Sequence, residues 1–209
     1  IINEIDKPND LLNYKSFVNK ISSKINHVPG NHDVGIDSEN LSKDGISFYR
    51  KNFGKDFYSI HWNDFELFFL NSSIFINSEN KDLYNEQIDF IKKTLNGFAS
   101  KKRIIVFMHH PPYIDKKDIL SSHQELIYSK GISYWTFEEN INNEFFDLFT
   151  NHSLEYIFTG HLHLNLETNF KNTKIITTSA LGLPLGDDPS GYRIIDYIDG
   201  KLSYEFYSI

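Results

Sequence analysis

The chain contains no cysteine, which excludes disulfides, thiolate metal sites and a cysteine nucleophile. Any metal must therefore be held by His, Asn, Asp or Glu. Long apolar runs are also missing: Phe65 to Leu70 and Ile104 to Met108 fall far short of the ~20 residues that cross a bilayer. No membrane span and no membrane partner are expected. Ile1 to Asp10 show neither a basic start nor an apolar signal core, so a cytoplasmic location is the expectation. Positive charge is in deficit, with 21 Lys and Arg against 28 Asp and Glu. A net charge of −7 disfavours broad attraction to a phosphate backbone, and no nucleic-acid partner is expected. With 40% hydrophobic residues in 209, the chain can build one sizeable core, and a single domain over 1–209 is expected.

Periodicity supplies the elements. Leu12, Phe17, Val18, Ile21 and Ile25 recur at three- and four-residue spacings, predicting an amphipathic helix over Leu11 to Lys24. A short strand through Asn26 to Val28 would lead into Pro29-Gly30. Phe57 to Trp62 and Phe65 to Asn71 predict a hairpin with a buried second strand, followed by a helix over Leu83 to Leu95. Arg103 to Met108 is a further buried strand, stopped by His109-His110-Pro111-Pro112 because proline offers no backbone donor. A helix over Glu138 to Thr150 and a strand over Glu155 to Phe158 come next. Strands alone are predicted after that: Lys174 to Thr178, Tyr192 to Tyr197 and Leu202 to Tyr207. This order implies an α/β fold with two packed β-sheets flanked by helices.

Three polar clusters sit just past the expected strands: Gly30-Asn31-His32-Asp33, His109-His110-Pro111-Pro112 and Gly160-His161-Leu162-His163. Strand ends of one sheet converge even when distant in sequence, and chemistry collects there. In an extended segment His161 and His163 would point the same way and offer two imidazoles to one locus. Neutral imidazole suits zinc, iron and related divalent ions, and Asn31 adds a carbonyl oxygen. His27, His61, His123 and His152, each isolated, read as surface or hydrogen-bonded core residues.

The ordered set Gly-Asn-His-Asp, then an apolar strand ending in His-x-Pro, then Gly-His-x-His, resembles the calcineurin-like metallophosphoesterase superfamily. Val28 to Gly35, Phe53 to Ser59, Phe68 to Ser72 and Ser179 through Gly191 are similar to its cytosolic serine/threonine phosphatase branch. That resemblance implies a four-layer α/β/β/α sandwich. It also implies two earlier motifs, Asp-x-His or Asp-x-Gln and Gly-Asp, that this sequence does not contain. Ile1-Ile2-Asn3 looks like the residues that follow the Gly-Asp pair, so an N-terminally truncated domain is the expectation.

Carried over by position, the resemblance assigns Asn31, His109 and His161 to one divalent metal and His163 to a second, with manganese, iron or zinc as the candidate ions. His32 would be the acid that protonates the leaving oxygen, while Asn3, Asp33, His110 and Tyr113 would support the site or the substrate. Asn31, His109, His161 and His163 are thus expected around one cavity, His32 at its edge, and His110 without a metal bond. The implied activity is phosphoester hydrolysis by attack of a metal-bound hydroxide, on a phosphorylated protein or a small-molecule phosphoester. A cyclic-nucleotide or other small-molecule phosphodiesterase is the alternative enzyme, and a non-catalytic binding module that kept the fold is the alternative of another class.

Overall fold

A computed structural model describes residues 1–2, 5, 7–35 and 41–209. Its helices are α1 (Pro8–Val18), α2 (Asn31–Val34), α3 (Lys43–Phe53), α4 (Ser72–Ile76), α5 (Lys81–Asn96), α6 (Ser121–Lys130), α7 (Ile132–Trp135) and α8 (Glu139–Asp147). Its strands are β1 (Tyr58–Trp62), β2 (Phe65–Phe69), β3 (Arg103–Phe107), β4 (Ser153–Thr159), β5 (Leu166–Phe170), β6 (Thr173–Thr177), β7 (Gly191–Ile198) and β8 (Lys201–Ser208).

Six strands form one sheet in the order β1-β2-β3-β4-β6-β5, and β7 and β8 form a second, antiparallel sheet. The central strands β2, β3, β4 and β6 run parallel, with an antiparallel strand on each edge. Side chains alternate across a strand, so each central strand feeds two cores. Phe68, Ile104, Val106, Ile157 and Ile175 face the core that α5 and α8 help to fill with Ile88, Ile91, Phe145 and Phe146. Phe65, Leu67, Phe69, Ile105, Phe158 and Ile176 face the opposite way, against Ile195, Tyr197, Leu202 and Tyr204 of the second sheet. The two packed sheets with flanking helices are those expected from the sequence.

Most boundaries of the expected elements agree within a few residues; helices α2, α3, α4, α6 and α7 are not among those expected, and three further regions differ. The first helix starts at Pro8, a residue suited to the first helical turn, and stops at Val18. None of its residues is buried, and Leu12 and Phe17 stay 62% and 61% exposed, so its apolar spacing does not mark a core face. No strand forms over Asn26 to Val28. That stretch is irregular, and the His27 N–H donates to the Tyr58 hydroxyl at 2.9 Å instead. Strand β5 precedes β6 where no strand is expected, because its alternation of buried and exposed residues is short and mostly polar.

Side-chain hydrogen bonds join these elements. Gln87 on α5 accepts from the Asn71 N–H at 2.9 Å and donates to the Asn71 carbonyl at 3.1 Å, so both backbone groups just past β2 are satisfied. The Tyr84 hydroxyl donates to Glu144 at 2.7 Å and ties α5 to α8.

Candidate metal centre

The site is built by the carboxyl ends of neighbouring parallel strands. Phe107 of β3 pairs with Phe158 of β4. The ladder continues beyond both: the Met108 N–H donates to the Phe158 carbonyl at 3.1 Å and the Gly160 N–H to the His109 carbonyl at 3.0 Å. His109 and His161, 52 residues apart, are held side by side by these bonds, with His161 Nδ1 3.1 Å from His109 Nε2. Asn31 enters from α2, its Oδ1 2.9 Å from the same His109 Nε2. Unlike the other two clusters, Gly30-Asn31-His32-Asp33 follows no strand and instead opens a helix.

Asp33 fixes that short helix. It is 1% exposed and accepts from the backbone nitrogens of Gly30 at 2.8 Å, Ile2 at 2.8 Å and Ile1 at 3.0 Å. The bond to Gly30 closes the first turn from its third position. Glycine at 30 is a matter of space, since a Cβ there would lie 3.2 Å from His109 Cε1 and 3.3 Å from Asp33 Oδ2. His32 lies beside Asn31 on α2. Asn3 lies outside the described residues.

The ring nitrogens of His109, His110 and His161 include one atom each that all lie within 4.8 Å of one another. His110 is 4% exposed and reaches the group from behind, through Ser72 just past β2. Ser72 Oγ accepts from the His110 N–H at 2.8 Å and lies 2.8 Å from His110 Nδ1. His110, rather than His109, lines the cavity of about 260 Å³ with Asn31, Tyr134 and His161. His109 meets Asn31 and His161 from the other side, where it borders a different cavity with Thr178 and Arg193.

His163 departs from the expected strand geometry. His161 and His163 have φ of 65° and 58°, so the segment bends and the two rings do not follow strand alternation. The ring of His163 bonds the Leu183 carbonyl through Nδ1 at 2.6 Å, and the Leu185 N–H donates to the His163 carbonyl at 2.8 Å. His163 is outside the converging group. Tyr113 is also elsewhere: its ring packs on Phe170 at 4.7 Å, in a separate cavity.

The isolated histidines have structural partners. His27 bonds Tyr14, His61 lies 3.7 Å from Glu66, His123 lies 3.2 Å from Asp188 and His152 accepts from the Lys102 N–H at 3.2 Å. Sequence reasoning missed Ser72, Tyr134 and the 183–188 loop as parts of the site. Ser72 carried a usable signal, because it follows a buried strand as the histidine clusters do. Tyr134, on a helix of four residues, carried none.

Electrostatics favour neutral imidazoles. Burial, then the neighbouring histidines, hold His109 and His110 well below the ordinary value of 6.5. Burial lowers His161 to about 4, against the pull of the nearby Tyr134 carbonyl. Neutral rings keep the lone pairs that a cation needs. Arranged around His109 Nε2, Asn31 Oδ1 and His161 Nδ1 leave a proton on that nitrogen only one partner to serve. A divalent ion would satisfy all three atoms together, and their 2.9 Å and 3.1 Å separations suit adjacent ligands at ~2.0–2.2 Å bonds. Among the described residues, the buried Nε2 of His161 has no hydrogen-bond partner.

A family model described as calcineurin-like phosphoesterase matches residues 2–165. The chain is 25% identical over 187 residues to the serine/threonine-protein phosphatase CPPED1 of Bos taurus and 24% identical over 186 residues to that of Homo sapiens. The Danio rerio protein of that name is 22% identical over 185 residues. Each alignment takes in 87% of this chain and 55% of the relative, so the chain spans about half the length of the curated relatives it matches.

Proposed function

Because the chain belongs to the calcineurin-like phosphoesterase family, we propose that it hydrolyses phosphate monoesters in the manner of a protein phosphatase, with a divalent metal held at its converging histidines. One observation carries this: Asn31 Oδ1, His109 Nε2 and His161 Nδ1 meet within 2.9 Å and 3.1 Å at the ends of β3, β4 and the start of α2. These three residues would hold one ion. His163, its Nδ1 already engaged by Leu183, has Nε2 left to bind a second. A bound divalent ion supplies Lewis acidity, polarising phosphoryl oxygens and lowering the pKa of water.

The chain's own side chains supply the proton handling. His32 sits one residue from a ligand on a helix anchored by Asp33, and it is assigned to give a proton to the departing oxygen. Such general acids contribute about 10²–10⁴-fold. His110 is assigned a different part. The buried Ser72 hydroxyl accepts from the His110 N–H and has its own proton to place, and His110 Nδ1 is the acceptor within reach. The His110 proton then sits on Nε2, which makes this ring a hydrogen-bond donor to an anion in the cavity and not a third imidazole ligand.

The test is hydrolysis of p-nitrophenyl phosphate, its bis ester and a phosphothreonine peptide by metal-loaded protein. The monoester and peptide should be turned over and the bis ester poorly. His32→Ala should keep its metal and lose 10²-fold or more in kcat on the peptide, with a smaller loss on p-nitrophenyl phosphate, whose leaving group needs less help. Preference for the bis ester would favour a phosphodiesterase. Metal binding without any turnover would favour a binding module.

A further inference from the structure

The loop over residues 183–188 belongs to no strand or helix, and it holds His163 at two points. The Leu183 carbonyl lies 2.6 Å from His163 Nδ1, and the Leu185 N–H donates to the His163 carbonyl at 2.8 Å. A carbonyl oxygen can only accept, so the proton of the neutral His163 ring sits on Nδ1 and the lone pair on Nε2. Leu183 is 66% exposed, and its own side chain therefore does little to keep that carbonyl in place.

The far end of the loop is fastened. Asp188 accepts from the Asn165 N–H at 2.8 Å through Oδ2 and from the Asn165 side-chain amide at 3.3 Å through Oδ1. Asn165 comes two residues after His163, so both ends of the loop are tied to the same short segment. Asn165 is itself held, its Oδ1 accepting from the Ser179 N–H at 3.2 Å. Beside Asp188 stands His123 of α6, 2% exposed, with Nε2 3.2 Å from Asp188 Oδ2. His123 Nδ1 is buried and has no partner among the described residues, so the ring proton that finds an acceptor is one on Nε2. The loop lies against this ring: a Cβ on Gly186, whose φ is 62°, would be 3.3 Å from His123 Cδ2 and 3.8 Å from His123 Nε2.

We propose that Asp188 is a positioning residue for His163. By fastening the loop to Asn165 and His123 it keeps the Leu183 carbonyl on His163 Nδ1, which fixes the tautomer of the ring and leaves Nε2 unprotonated for a divalent ion. The proposal rests on the reading above that His163 serves a second ion. Without the fastening, the ring loses its fixed acceptor and exchanges between tautomers.

The experiment reads the imidazole nitrogens of the 209-residue chain by nitrogen-15 NMR at pH 8, above the ordinary histidine value of about 6.5, with the His163 signals assigned through His163→Gln. The wild-type protein should show a protonated Nδ1 and an unprotonated Nε2 at His163. Asp188→Ala should move both nitrogens to the averaged positions of an exchanging ring. Asp188→Asn, whose amide oxygen can still accept from the Asn165 N–H, should keep the wild-type pattern. Zinc binding followed at His163 Nε2 should weaken about 10–100-fold in Asp188→Ala, while binding followed at His109 stays within about twofold. A wild-type His163 with its proton on Nε2, or an unchanged His163 pattern in folded Asp188→Ala, overturns the proposal. If Asp188→Ala is unfolded by circular dichroism, Gly186→Ala, which presses on the His123 atoms beside the same bond, takes its place with the same expected and overturning results. If zinc leaves the wild-type His163 Nε2 unmoved, the second-ion reading fails, and the tautomer comparison alone decides the role of Asp188 by the same criteria.

Discussion

At the scale of residues, the centre is a set of imidazoles kept neutral by burial and by one another. This has a consequence for stability without metal. The folded His161 titrates near 4, below its ordinary 6.5. As pH falls through 6.5 the unfolded chain takes up its proton first, so stability present above that pH is lost progressively until the folded group titrates. His109 and His110 are shifted in the same direction. Between pH 7 and 4 the metal-free protein should lose on the order of 3 kcal/mol through His161 alone. Urea unfolding at stepped pH measures this, and a flat profile over that window would mean the rings already take up protons in the folded state. His161→Ala should also cost metal affinity by more than the ~10–100-fold typical of a lost outer partner, read by calorimetric titration.

At the scale of elements, helix α2 carries Asn31 and His32 and leans on α3. Gly45 in α3 is the point of contact: a Cβ there would lie 2.0 Å from the Val34 carbonyl oxygen and 2.4 Å from its carbon. Those atoms are backbone, so one helix must move. Gly45→Ala should cost about 1–3 kcal/mol through overpacking. Because α2 is the smaller element, the displacement should shift Asn31 and weaken metal binding as well. Thermal melts and metal titration of this variant test both effects. Wild-type values in both would show that α2 and α3 are not in the contact described. The strands are better protected, since β3 and β4 bring His109 and His161 together through backbone bonds that no single side chain supplies.

At the scale of the whole molecule, both large cores share the central strands, with Phe68 and Val106 facing the helices and Phe65 and Ile105 facing the second sheet. A sheet common to two cores couples them, so the chain should unfold in one transition. Its two tryptophans allow a check. Trp62 packs beside Tyr197 near the second sheet, and Trp135 is buried with Ile127 and Leu164 under α6. Fluorescence of Trp62→Phe and Trp135→Phe variants should follow the same denaturant curve as far-ultraviolet circular dichroism. Separated midpoints would divide the chain into more than one folding unit.

The sequence by itself determined the alternation of elements, the two-sheet class and the residue types of the centre. Short apolar runs over Phe65 to Leu70 and Ile104 to Met108 mark buried strands wherever they pair, and Gly-His-x-His after such a strand marks a candidate pair of imidazole ligands. Local pattern could not reveal whether an apolar stripe finds a partner. Leu12 and Phe17 lie on a helix and remain in solvent, since burial depends on what else folds nearby. Nor could it show that the backbone reverses at His161 and His163, because positive φ at a histidine is imposed by the surrounding loop and not by intrinsic preference. Tertiary structure alone decided which histidine faces which cavity. His109 and His110 are adjacent in sequence, and they are distinguished only by the neighbours that parallel pairing brings to them: Asn31 and His161 for one, Ser72 for the other.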